Sequence, residues 1–70
     1  MQIAIFKTNL TNVNRINDVE SYLETHPSII KWNVDLNDED NILRIVSHNV
    51  DGKEIENLLL QAGYFCEEIE

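Results

Sequence analysis

Four segments of the chain combine β-branched, aromatic and alternating side chains in the way that strands do. The clearest is residues 30–36, where apolar and polar positions alternate strictly, so one face of this strand is expected to be buried. Residues 42–48 return from a polar turn and predict an antiparallel hairpin with that strand. Residues 2–7 and a short segment at 64–69 predict the first and last strands.

Two further segments carry apolar residues three and four positions apart, which predicts amphipathic helices. The first helix covers about residues 13–25, and Pro27 stops it. The second opens with Asp51 as its N-cap and Glu54 reaching back as in a capping box, and Gly63 ends it. The two apolar stripes are Ile16, Val19 and Leu23 in the first helix, and Ile55, Leu58, Leu59 and Ala62 in the second.

The predicted order is β-α-β-β-α-β within one domain, residues 1–70. This is the ferredoxin-like α+β arrangement, with two helices on one face of a four-stranded antiparallel sheet and the first and third strands central. We expect Ile30, Trp32 and Val34 to face the helices. The same fold supports many functions, so it does not by itself indicate one.

The other face of the sheet is expected to carry an apolar patch, because alternation sends part of the central strands outward. Such a patch on a small protein marks an interface with a partner or a second copy. The alternative is that the strand register differs and half of these residues belong to the core. The interface candidates are Ile3, Ile5, Ile42 and Val46.

The chain has 13 acidic and 5 basic residues, a net charge of −8. This charge repels nucleic acid and anionic membranes, and it indicates either simple solubility or a basic or cationic partner. The first residues lack the basic flank and the length of a signal peptide or membrane span. Cys66 is the only cysteine, which fits the reducing cytoplasm.

Several segments resemble those of heavy-metal-associated domains, the family of copper chaperones and of the N-terminal modules of metal-transporting ATPases. Residues 50–64 resemble the family's last helix, which typically ends in Ala-Gly-Tyr, as here at Ala62, Gly63 and Tyr64. Residues 30–36 are similar to its second strand. The resemblance covers nearly the whole chain and implies the ferredoxin-like fold.

The family's defining Met-Xaa-Cys-Xaa-Xaa-Cys motif falls on residues 10–15, where Leu10 takes the methionine position and Thr11 follows. Asn12 and Arg15 take the cysteine positions. Copper(I) and zinc in such loops need two thiolates, and a guanidinium repels the ion. The matching Tyr64 is expected to pack against Leu10 or to cap the loop. The resemblance therefore implies a degenerate member with no metal and no cofactor.

Other metal sites are not indicated by spacing. His26, His48 and Cys66 form no Cys-Xaa-Xaa-Cys or His-Xaa-Xaa-His pair, and Cys66 is expected to be a buried apolar filler. The acidic turn at residues 35–40 lacks the central glycine and final glutamate of a calcium loop. Asp18 is expected to lie on the solvated face of the first helix.

The sequence indicates a binding or regulatory module and not an enzyme, because no nucleophile has an adjacent base and no glycine-rich phosphate loop is present. An acylphosphatase-like activity stays open, since Asn12 and Arg15 lie in the first loop, although the net charge opposes a phosphorylated substrate. We expect binding to an unknown protein through the open sheet face or the vacated loop. The alternative is a metal-trafficking protein with unconventional ligands.

Overall fold

The computed structural model describes residues 1–69 and confirms the predicted order of elements. The sheet is antiparallel with strand order β2-β3-β1-β4, so the first and third strands are central, as predicted. Within these residues, no helix is long and apolar enough to cross a membrane. The elements are β1 (Gln2–Thr8), α1 (Val13–Glu24), β2 (Ile29–Asp35), β3 (Ile42–Ser47), α2 (Gly52–Gln61) and β4 (Cys66–Glu68).

The core lies between one face of the sheet and the two helices. Its buried side chains come from both central strands, both helices and the loop after β1, and they confirm the predicted helical stripes. Ile16, Leu58 and Ala62 pack at its margin. The fully buried residues are Phe6, Leu10, Val19, Leu23, Leu43, Ile45, Ile55 and Leu59.

A β-bulge at the start of β2 changes which residues face the helices. Ile29 pairs with Ser47 and Lys31 pairs with Val46, so Ile30 is an extra residue between two consecutive pairs. Ile29 packs against the core, whereas Ile30 is 45% exposed. The expectation that Ile30 faces the helices is therefore wrong, while Trp32 and Val34 do pack against the core.

The ends of α2 are fixed by local hydrogen bonds. Asp51 caps the N-terminus, with its carboxylate accepting from the backbone N–H of Lys53 at 3.0 Å. The predicted capping box does not form, because the carboxylate of Glu54 contacts His26 instead. At the other end Gly63 has φ +93°, and Tyr64 N–H donates to the carbonyl of Leu59 as in a Schellman motif.

Candidate functional site

The loop between β1 and α1 is anchored at its first half. Thr8 is buried, and its hydroxyl donates to the carbonyl of Asn41 at 2.6 Å and accepts from the N–H of Leu10 at 3.1 Å. The side chain of Leu10 is fully buried in the core. The residue at the methionine position of the metal-loop motif therefore anchors this loop to the core.

The second half of the loop is held by polar contacts that the sequence patterns did not reveal. Asn12 has an extended backbone and caps α1, its side chain accepting from the N–H of Arg15 at 2.9 Å. The guanidinium of Arg15 turns back and donates to the carbonyl of Asn9 at 3.0 Å. The side chain of Asn9 accepts from the N–H of Phe65 at 2.9 Å. The loop is thus tied both to α1 and to the segment that leads into β4.

Tyr64 packs against the core and reaches the side of α1. It packs against the buried cluster that contains Leu10, in keeping with the first of the two expectations for it, and its hydroxyl donates to the carboxylate of Asp18 at 2.5 Å. Asp18 is exposed, as expected, but it also joins α1 to the chain after α2. This hydrogen bond raises the pKa of Tyr64, burial and the charge of Asp18 raise it further, and the charge of Arg15 lowers it.

The side chains that bind soft metals are dispersed. Cys66 pairs with Thr8 beside the loop, and burial, followed by the charges of Glu56 and Glu68, raises its pKa to about 12. His26 and His48 follow α1 and β3 at the other end of the sheet, where Ser47 pairs with Gln2. Over residues 1–69, no three His, Cys, Asp or Glu side chains are grouped so that they could hold a metal ion.

The loop contains no cysteine, because the one cysteine of the sequence is Cys66. It therefore supplies no thiolate to a metal ion. Arg15 has only donors and a permanent positive charge, and the amide oxygen of Asn12 is used as the helix cap. Cys66 is a half-buried thiol that stays protonated at neutral pH. These residues do not fit a two-thiolate copper(I) or zinc site.

The four predicted interface residues lie on the sheet face away from the helices. Ile3 pairs with Val46, and Ile5 pairs with Arg44, whereas their neighbours Ala4 and Phe6 pack in the core. Ile42 shares this face with Val46 by alternation along β3. Ile3 is 54% exposed, but Val46 is only 8% exposed between its cross-strand partners Ile3 and Lys31. That these residues form an interface stays a prediction.

A groove with a volume of about 350 Å³ lies along β2 and β3. Its lining consists of Lys31, Asn33, Arg44 and Val46, which share the open face, and of Trp32, whose side chain packs against the core. The apolar residues were visible as a pattern, but the cations between them became neighbours only through the pairing of β2 with β3.

No protein-family model and no curated protein matches the sequence. Solved structures share the fold at low identity. The yeast copper transporter domain Ccc2a aligns with a TM-score of 0.85 and 18% identity, over 100% of this chain and 97% of that one. A chain of the Atx1–Cu(I)–Ccc2a complex gives the same TM-score, identity and coverage. A copper-binding domain of the P-type ATPase HMA7 aligns at 0.83 and 22%, over 100% and 96%. This chain therefore has the ferredoxin-like fold of heavy-metal-associated domains, without a Cys-Xaa-Xaa-Cys motif.

Proposed function

We propose that this chain is a non-enzymatic protein-binding module on a heavy-metal-associated fold that has lost its thiolate metal site. The observation that carries the proposal is the position of Arg15, whose guanidinium donates to the carbonyl of Asn9 inside the loop. A permanent cation then takes the place where the motif would supply a second thiolate. The lone, protonated Cys66 is in keeping with a cytoplasmic protein.

The same contacts speak against catalysis in this loop. Asn12 and Arg15, which kept an acylphosphatase-like reaction open, are both engaged with the backbone of the loop and the first turn of α1. Cys66 is a poor nucleophile, because its raised pKa leaves little thiolate at neutral pH. We therefore assign these side chains to holding the loop and not to chemistry on a substrate.

Protein binding is supported by the solved structures that share the fold. One of them is a chain of the Atx1–Cu(I)–Ccc2a complex, so a domain of this fold occurs in a complex with another protein. Two surfaces are available here, the loop end with Arg15 and the open face of the sheet.

A second candidate function is metal trafficking with unconventional ligands. It is favoured by the copper-binding proteins among the similar structures, since their fold is the same over the whole length of this chain. In this alternative, Cys66 would supply the only thiolate, and metal binding would have to overcome its raised pKa.

A competition titration separates the two functions. The purified chain is titrated with copper(I) and with zinc against a chromophoric chelator. If the chain is a protein-binding module without a metal site, we expect no stoichiometric site with a Kd below about 1 µM. The double variant Asn12→Cys with Arg15→Cys is the positive control, because two thiols at the start of α1 recreate the ligand pair. A tight site in the wild type that disappears in Cys66→Ser would establish the trafficking function instead.

A further inference from the structure

Charge is divided unevenly between the two sides of the sheet. Alternation and register place three of the five basic residues, Lys7, Lys31 and Arg44, on the open face together with Asp35 and Glu67. The rest of the sequence therefore carries two basic residues and eleven acidic ones. The open face therefore concentrates basic side chains that are sparse in the rest of this acidic chain.

Two of these cations have no counter-ion close by. Lys7 forms an ion pair with Asp40 at 3.6 Å, but neither Lys31 nor Arg44 has a carboxylate within 4.0 Å in residues 1–69. Lys31 is paired with Val46, two residues along β3 from Arg44. Diagonal neighbours of this kind are about 7–8 Å apart, so one carboxylate can contact both long side chains.

Apolar side chains continue the face beside these cations. Ile3 lies directly across from Val46, and Ile5 is paired with Arg44. Ile69, which is 49% exposed, is tied to β1 by its N–H donating to the carbonyl of Ile5 at 2.9 Å. The face thus offers the exposed Ile3 and Ile69 and the half-buried Ile5 next to a groove between β2 and β3 that contains two cations.

We propose that the open face binds an acidic, extended segment of a partner protein. A carboxylate of the segment enters the groove between Lys31 and Arg44, where Asn33 also lines the wall, and an apolar side chain rests on Ile3. Charge complementarity favours an acidic segment at this groove, because Lys31 and Arg44 are cations without a carboxylate within 4.0 Å in residues 1–69. The inference rests on the proposed protein-binding function and names its surface and partner chemistry.

A second copy of this chain is a poorer occupant of the face. Two copies meeting through it would add the mutual repulsion of two chains that each carry a net charge of −8. A short segment with a strong electrostatic contribution suits the groove of about 350 Å³.

Amide NMR titration of the full chain with designed peptides tests the proposal. The probe carries glutamate and valine in turn at every second position, separated by serines, so that both contact the same surface when the peptide is extended. A matched peptide has lysine in place of each glutamate. We expect shifts confined to β1, β2 and β3 around Lys31, Arg44 and Ile3 with the acidic peptide, and none with the basic one.

Charge-reversal variants complete the test. Lys31→Glu with Arg44→Glu should lower the affinity for the acidic peptide by about tenfold or more. Lys53→Glu on α2 should leave that affinity within about twofold. Lys31→Gln with Arg44→Gln is a milder version, and the amide spectrum of each variant reports its fold.

Shifts centred on the helices, equal binding of the basic peptide or insensitivity to the variants overturns the inference. Concentration-dependent shifts at the same residues without peptide would identify a second copy as the occupant and overturn it too. The metal titration described above does not depend on the open face. A tight metal site would contradict the proposed function, whereas loss of peptide binding alone would contradict only this inference.

Discussion

The guanidinium of Arg15 donates a hydrogen bond to the carbonyl oxygen of Asn9 at 3.0 Å, which closes the loop between β1 and α1 on itself. In the same loop, Asn12 caps the helix and the side chain of Asn9 accepts from Phe65. The loop therefore has its own set of protein hydrogen bonds. These bonds join the loop to the first turn of α1 and to the segment before β4.

The ionisation of Tyr64 should report its two charged neighbours. The contact with Asp18 raises the pKa of Tyr64 above 10.0, and Arg15 lowers it, so Asp18→Asn should lower the pKa and Arg15→Gln should raise it. Ultraviolet titration in a Tyr22→Phe background isolates the signal. Because the folded pKa is the raised one, the stabilising contact is complete below pH 10 and is lost as the pH rises through the folded value. A raised pKa of Tyr64 in Asp18→Asn, or a lowered one in Arg15→Gln, would contradict the geometry.

The thiol of Cys66 should be unreactive in the folded chain. With a pKa of about 12, only about one thiol in ten thousand is ionised at pH 8, so alkylation by iodoacetamide should be at least about a hundredfold slower than in urea. Glu56→Gln should increase the rate, because it removes a charge that disfavours the thiolate. Glu39→Gln in the turn between β2 and β3 is the matched control and should not change it. Equal rates in folded and unfolded protein would refute the burial of the thiol.

Leu59→Ala should lower the free energy of unfolding by about 2–5 kcal/mol, since the side chain is fully buried between α2 and the sheet. Leu60→Ala is the control, because Leu60 is the next residue of α2 and is 69% exposed. It should change stability by no more than about 0.5 kcal/mol. Urea unfolding followed by circular dichroism measures both. Similar losses in the two variants would show that the helix is rotated from its described position.

Gly63→Ala should destabilise the chain by about 1–2 kcal/mol, because φ +93° is strained for a residue with a Cβ. An added Cβ would meet no atom within 4 Å, so the loss would be conformational and not steric. Gly63→Asn should cost less, since asparagine tolerates positive φ better than alanine. Equal stability of the three proteins would mean that the helix ends in another conformation.

The sequence predicted every element of the fold and the side of the sheet on which Ile3, Ile5, Ile42 and Val46 lie. Those predictions depend on local periodicity, which one segment carries by itself. The bulge at Ile30 was missed because Ile29 and Ile30 are equally apolar, and only pairing with β3 decides which one is buried.

The contacts of the candidate site were harder to predict because they join distant parts of the chain. Glu54 has the spacing of a capping box, but folding brings His26 within reach of its carboxylate. Asp18 was expected to be a solvated helix residue, and only packing of the chain after α2 brings the hydroxyl of Tyr64 to it. Arg15 was noticed for its charge, while its hydrogen bond depends on the path of the loop.

The bulge in β2 also bears on how this protein avoids joining other chains through its backbone. Edge strands leave unpaired N–H and C=O groups that invite aggregation, and bulges or very short strands prevent strand addition. One edge of this sheet is the bulged β2, with Lys31 at the irregularity, and the other is β4, only three residues long and carrying Glu67 and Glu68. Both edges are therefore poor templates for fibril growth, and the chain can present an apolar sheet face without the hazard of open-ended β-sheet polymerisation.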